Sequence, residues 1–416
     1  MTVAATDVPD FLSEAHDRDP QILYRHLREQ EPVFFHAGSN GWLVTRYDDI
    51  LRILRSKDIT SDNYSASIGT VYGRTLLQLD GKDHQQQRGL IQPIMTGTAL
   101  ANYRPIVQRV IDKLFMPAFE AAVETASRDG CEHAEIDLAQ SYLQAIPISV
   151  ILELLDLPRE NRSDFIRWFK DLMAFVANVG GDPEPIERGL KARDELGAFA
   201  RPLIAQRRAH PGEDLVSKMC HTELNGEGLT DEEVQSFITL MIVAGGETTE
   251  RALGMVVLNL LRHPDQLAAV RADRSLVTTA FVETLRYSTP VNIASRTAAA
   301  DIELHEVTIP AGSVIHCILG AGNRDPRKFS NPDEFNIFRQ DNSTEKGFSG
   351  AADHLGFANG RHFCVGAALA KAEVEVGLNL ILDHMKDVRI AEGFTPVETG
   401  LWTRGVDSLR VAFKPA

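Results

Sequence analysis

One helical run, Thr230 to Arg262, constrains this chain more than any other feature. Thr230 with Glu233 three residues on makes a capping-box signature just before the apolar residues begin, and Pro264 stops the pattern. At ~1.5 Å per residue the run is roughly 50 Å long, enough to cross a whole domain. Its strongest apolar stretch, Phe237 to Ala244, falls far short of the ~20 residues a bilayer span needs, so a buried helix in a soluble protein is expected. In its middle stands Ala244-Gly245-Gly246-Glu247-Thr248-Thr249. Two adjacent glycines cost about 2 kcal/mol of helix propensity. A local widening of the turn, making space and freeing backbone groups for water, would account for them. A close helix-packing contact with an exposed Glu247 would do so too.

Around this run the pattern is mainly helical with small β-sheets. Ile148 to Leu157 is helical and closed by Pro158. Pro32–Phe35 and Trp42–Thr45 flank the turn cluster Gly38-Ser39-Asn40-Gly41 and predict a hairpin. Val307–Ile309 and Val314–Leu319 predict a second strand pair around Pro310-Ala311-Gly312. Asp58–Arg74 and Asn178–Pro185 are expected to be loops that could gate a pocket or merely connect helices. No Pro/Gly/Ser linker or repeat divides the 416 residues, so one domain, 1–416, is expected.

With 43 Lys and Arg against 58 Asp and Glu the net charge is −15, which disfavours nucleic acid and anionic membrane surfaces as partners. The four cysteines, Cys131, Cys220, Cys317 and Cys364, form no CxxC pair. The N-terminus MTVAATDVPD lacks the basic start and apolar core of a signal peptide. A cytoplasmic protein is therefore expected.

The segment His354 to Ala370, HLGFANGRHFCVGAALA, holds Phe357-x-x-Gly360-x-His362-x-Cys364-x-Gly366 before an apolar helix. Five such positions match by chance on the order of once in ten thousand chains. The segment resembles the haem-binding loop of the cytochrome P-450 family. In that reading Cys364 ligates iron as a thiolate, the glycines let backbone N–H groups approach the sulfur, and the helix from Gly366 points its positive end at it. Phe357 shields the sulfur, and the thiolate donates electron density that favours O–O cleavage. An inert buried thiol is the default for an arbitrary cysteine, and Cys131, Cys220 and Cys317 keep that default. In the helix beyond, Lys371, Glu375, Asn379 and Asp383 are expected to form one wet, polar stripe.

The resemblance covers nearly the whole chain and implies the rest of the site. Gly245 and Gly246 leave room for O2 against the long helix, with Ala244 and Gly245 among the cofactor-binding residues; Thr248 hydrogen-bonds the oxygen, and Glu247 relays protons. His84 and Arg88, at i and i+4, with Arg296 and His362, match the family's haem propionate anchors. Glu283 and Arg286 make an ExxR pair, which Arg339 completes into a network with a structural role. Ala358 replaces a glycine many relatives have and should slightly stiffen the loop. The implied fold is the family's single, triangular-prism-like domain, with haem between the long central helix and the cysteine-loop helix.

The cofactors implied are haem b and O2. Electrons come from NAD(P)H through a separate ferredoxin and ferredoxin reductase, because the chain carries no flavin or iron–sulfur motif. Substrate contacts implied by family position are Ser65, Ile68, Val71, Leu240, Val243, Asn292, Ile293, Leu401 and Trp402, though each could be ordinary core. Most are apolar and suit a lipophilic or aromatic natural product, with Asn292 offering one amide. Phe348–Cys364 and Glu398–Gly405 are similar to members that hydroxylate, desaturate, aromatise or couple cyclic dipeptides (diketopiperazines) in secondary metabolism. A monomer is expected. Peroxygenase or isomerase chemistry on the same scaffold, and non-catalytic haem binding, are the alternatives; Glu247 and Thr248 weigh against both.

Overall fold

The computed structural model describes residues 8–65, 68–178 and 181–416. Its spine is the central helix, Asp231–Arg262. Thr230 caps it in a full capping box with Glu233, and His263 ends it before Pro264 opens the next helix. The expected run is thus present almost to the residue, because both of its stops are local chemistry. Helices pack around it. Ile146–Leu154, Arg162–Ala177 and Pro183–Ala209 lie along its N-terminal half, and Leu276–Tyr287 and the cysteine helix Ala367–His384 along the other. Together they bury one large apolar core, in which Val234, Ile242, Val256 and Leu258 are fully enclosed.

The largest sheet has five strands. Val33–His36 pairs antiparallel with Gly41–Val44, which runs parallel to Val314–Ile318. Val314–Ile318 then pairs antiparallel with Ile293–Ala298, and that strand with Ile59–Thr60. The early hairpin therefore forms as its turn residues predict. The second expected pair does not. Val307–Ile309 folds back on Ile302–Leu304 through a turn in which His305 takes φ +56°, while both edges of Val314–Ile318 are occupied by other strands. Leu319 leaves the sheet and opens a short helix, Leu319–Gly322.

Other expectations need correction. The helix expected over 148–157 ends at Leu154, and Asp156 at φ +50° turns the chain before Pro158 can act. The stretch 58–74 contains a strand, a 3-10 turn over Asp62–Tyr64 and a helix, Ile68–Tyr72; residues 66–67 within it, like 179–180 in the second expected loop, lie outside the described residues. Pro183 already opens a helix. The stripe on the cysteine helix is wet only at its ends: Asp383 is exposed and Lys371 partly so, whereas Glu375 is buried and accepts from Arg104 (3.1 Å) and Thr278 Oγ1 (2.6 Å), and half-buried Asn379 accepts from Arg274.

Candidate active site

A cavity of about 330 Å³ lies between the central helix and the cysteine segment. Leu240, Met241, Ala244, Gly245, Thr248, Thr249 and Ala252 form one wall, a stripe at helical spacing. Gly356–Ala358, His362–Gly366, Leu369, Ala370 and Glu373 form the opposite wall. Leu76, Phe237, Phe281, Val291 and Ile293 add apolar surface between them.

The two glycines of the central helix have a packing explanation. The helix stays α-helical from Asp231 to Arg262, so the expected widening is absent. A Cβ on Gly245 would sit 2.5 Å from Ile151 Cδ1, and one on Gly246 2.8 Å from Phe169 Cε2. Two neighbouring helices approach there too closely for side chains. Gly245 also borders the cavity, so the same glycine serves both. Thr248 Oγ1 donates to Ala244 O at 3.0 Å, one turn back.

Cys364 Sγ opens onto the cavity yet lies deep in the protein. Burial pushes its thiol up, while the Gly366 amide, Arg88 and the Ala367 amide pull it down. The first turn of the cysteine helix is thus aimed at the sulfur, as expected. The Cys364 amide donates to Phe357 O at 3.1 Å, pinning the loop under its own aromatic residue. Phe357 in turn packs edge-on to Phe281 and Phe363. Gly360, at φ +71°, serves a different contact from the one expected: a Cβ there would collide with Leu54 O. Ala358 sits at φ +55°, so its methyl strains the loop by roughly 1 kcal/mol rather than merely stiffening it.

His84, Arg88, Arg296 and His362 all border the cavity. The His84 and His362 rings lie 4.4 Å apart between centroids, tilted 51° to each other. Arg88 Nη1 donates to Phe363 O at 2.7 Å and Arg361 O at 3.3 Å, bracing the cysteine loop from outside. His362 Nε2 meets Ser61 Oγ (3.1 Å) and Asp80 Oδ1 (3.2 Å). Burial, then Arg88, lowers His84; burial, then Arg296, lowers His362 to about 4. His84 Nε2 and Arg296 Nε are buried with no hydrogen-bond partner among the described residues. Asp80 is already engaged by His362 and Arg361, so the unpartnered His84 and Arg296 nitrogens beside Arg88 are what a buried dianionic edge such as a haem's propionates would complete. The residues present therefore fit haem.

Other expected residues stand elsewhere. Glu247 does not border the cavity; its Oε1 accepts from Arg251 Nη2 at 3.3 Å. Val71 and Val243 are core. Ile68 packs against the same core, and Ser65 closes the 3-10 turn through its amide to Asp62 O. The Asn292 amide donates to Tyr24 Oη (2.6 Å) and Leu401 O (2.9 Å), so it braces the fold and does not reach a ligand. Leu401 and Trp402 pack into the N-terminal core, Trp402 on the His316 ring. Of the nine expected substrate contacts only Leu240 and Ile293 border the cavity. Sequence reasoning missed Phe237 and Met241, which the helical period from Ala244 could have indicated, and Glu373, a carboxyl in an apolar run. Burial raises Glu373 well above the usual carboxylate range.

The structural trio assembles as expected. Arg286 donates to both oxygens of Glu283 (2.7 and 2.9 Å), and Arg339 Nε adds a third bond at 3.0 Å. Arg286 also holds Asn323 O, Pro332 O and Glu334 O. Asn323 Oδ1 then accepts from Leu355 N (2.7 Å), which ties this network to the cysteine loop.

The Cytochrome P-450 family model matches residues 34–387. The chain belongs to the cytochrome P-450 family. It is 33% identical over 407 residues to pulcherriminic acid synthase of Bacillus subtilis (strain 168), covering 97% of this chain and 98% of the relative. The 6-deoxyerythronolide B hydroxylase of Saccharopolyspora erythraea is 29% identical over 427 residues, 98% and 99% covered. Among solved structures, the Bacillus subtilis 168 bacillaene polyketide synthase cytochrome P-450 PksS superposes with a TM-score of 0.82 at 29% identity, covering 97% of this chain and 98% of that one. The protein is accordingly a haem-b-dependent monooxygenase of a family that takes O2 and NAD(P)H electrons through redox partners, with relatives in bacterial secondary metabolism. No helix among the described residues is long and apolar enough to cross a membrane.

Proposed function

We propose that Cys364 ligates the haem iron and that the enzyme oxidises a small lipophilic natural product, a cyclic dipeptide being the substrate class. The observation that carries the ligand assignment is the cavity-facing Cys364 sulfur with the Gly366 and Ala367 amides turned on it. Bound haem supplies reductive activation of O2 and its transfer to the substrate. The protein's own groups supply the rest. Cys364 Sγ would hold the iron as a thiolate, favoured by the two amides and Arg88 that face it. His84, Arg88, Arg296 and His362 would hold the propionates. The Thr248 hydroxyl, now bonded to Ala244 O, is the proton-donating atom on the cavity wall. Glu247 restores its proton. Leu240, Met241, Ile293 and Phe237 exclude water and bind the substrate by apolar contact.

Three features support a cyclic dipeptide: the similarity of Phe348–Cys364 and of Glu398–Gly405 to members acting on such rings, and the pulcherriminic acid synthase match. Residues as distant as Tyr64 and Glu373 line one cavity, which supports a single domain. Its four unpaired cysteines suit the cytoplasm. Titration of the purified haem protein with tryptophan-containing cyclic dipeptides tests the substrate class: a spin-state change is expected, and none with any of them removes it. The reduced carbon monoxide spectrum of Cys364→Ala tests the ligand separately; a thiolate-type band surviving in the variant removes Cys364.

A further inference from the structure

We propose that Arg251 is the positioning residue of the proton relay: tethered at the protein surface by Asp407, it holds the Glu247 carboxylate outside the cavity until a proton passes inward. This rests on Glu247 and Thr248 forming the relay. Arg251 lies one turn beyond Glu247 and divides its guanidinium. Nη2 meets Glu247 Oε1 at 3.3 Å, and Nη1 meets Asp407 Oδ1 at 2.7 Å. The Arg251 and Glu247 side chains are 14% and 17% exposed, whereas Asp407 is 63% exposed, so the three lead from solvent to the helix beside the cavity.

The arrangement is built. Gly405 has no side chain because a Cβ there would collide with Arg251 Cδ and stand 2.9 Å from its Cβ. Thr399 Oγ1 donates to Asp407 Oδ2 (3.2 Å) and Gln140 Nε2 to Asp407 O (2.6 Å), fixing the outer anchor. The inner end is left incomplete. Glu247 Oε2 and Arg251 Nε are buried without hydrogen-bond partners among the described residues. A pair meant only to stabilise would be poorly served by two such atoms. A pair meant to part needs a second place for the carboxyl, and the Thr248 wall is the adjacent residue.

The cluster also holds an exchangeable proton. Glu250 shares it, and its carboxyl is raised to about 7 by burial, opposed by Arg251 and aided by Glu247 and Asp407. The groups facing it are Glu247 and Arg251 of its own helix, Asp407 after the Gly405–Val406 strand, and neutral Gln144. From another helix, burial and then the Glu247 charge raise Tyr72. Three carboxyls thus share one guanidinium. The step is proton transfer alone. A Glu247 carboxylate oxygen accepts a proton from solvent at the Asp407 edge, loses its ionic hold on Arg251 as it becomes neutral, and yields that proton to the Thr248 hydroxyl oxygen as the hydroxyl gives its own proton into the cavity. Arg251 keeps Asp407 and recaptures the carboxylate afterwards.

The test uses Arg251→Gln, Arg251→Lys and Asp407→Asn holoenzymes with a surrogate ferredoxin, its reductase and NADPH, without organic substrate, so it does not depend on the substrate class. Arg251→Gln is expected to raise hydrogen peroxide released per O2 consumed by roughly threefold or more and to enlarge the solvent isotope effect on O2 uptake. Arg251→Lys, which keeps the charge but not the two-sided reach, should recover part of the loss and stands in if the glutamine variant folds poorly. Infrared difference spectra of the resting proteins, with Glu247→Gln as the subtraction, read the carboxyl directly. Its stretching band should shift in Arg251→Gln, which removes the 3.3 Å contact, and by less in Asp407→Asn, which removes only the outer anchor. Unchanged peroxide yield and isotope effect in variants that retain the thiolate-type carbon monoxide spectrum overturn the proposal, as does an unshifted Glu247 band in Arg251→Gln. Loss of that spectrum in the parent enzyme would instead strike the Cys364 assignment.

Discussion

Two glutamate–arginine pairs at helical spacing, Glu283–Arg286 and Glu247–Arg251, look alike in sequence and have opposite surroundings. Glu283 and Arg286 are 2% and 0% exposed, and neither appears among the buried polar atoms lacking a partner. Arg286 is lowered by burial and held up by Glu283, a strain that five hydrogen bonds absorb. The Glu247 pair is less buried yet leaves one atom on each residue unsatisfied. A network that must keep one shape is completed. One that must exchange a proton is left with a vacant bond.

The largest expected effect tests the locked side. Glu283→Ala leaves Arg286 charged and buried, and should cost ~3–5 kcal/mol together with haem retention. Denaturant unfolding and haem content check it; a loss similar to that of an exposed pair would erase the contrast. Next comes the open side. Glu247→Gln should slow oxygen uptake with surrogate partners by roughly a hundredfold while changing stability by about 1 kcal/mol or less. A variant that loses stability but not rate would make the second pair structural as well.

A pH series sharpens the comparison further. Glu250 has a folded-state value raised from 4.5 to about 7. The folded protein therefore holds its proton where the unfolded chain has lost it. This contribution is absent below about 4.5, lowers stability as pH rises from there to about 7, and is constant above. Glu250→Gln should flatten that fall in denaturation midpoints across the same window; an unchanged slope would place the raised group elsewhere. The smallest effect concerns the loop that the locked network supports. Ala358→Gly removes a methyl from φ +55° and should stabilise by up to ~1 kcal/mol, read as a higher melting temperature. A lower melting temperature would mean the methyl is worth more than its strain.

Much of the fold was legible because its signals are local. The Thr230 capping box, Pro264 and the Gly38–Gly41 turn each act within a few residues, and the central helix and first hairpin follow. The cysteine loop was legible because backbone geometry around a thiolate demands particular residues in order. Strand pairing around Pro310 was misread because partners come from residues far away in sequence. Asn292 and Trp402 were misplaced for the same reason: an amide or indole says nothing of whether Tyr24 or His316 will be beside it.

By itself, then, the order of residues determined where helices start and stop and which sulfur faces the cavity, since caps, turns and the Phe357-to-Gly366 spacing are written within a few bonds of one another. Packing decided the rest: that Gly245 and Gly246 admit Ile151 and Phe169, that Glu250 sits near neutrality, and that Arg251 answers to Asp407, 156 positions away. Burial and charge act through space, and no local pattern fixes which distant side chains will share it.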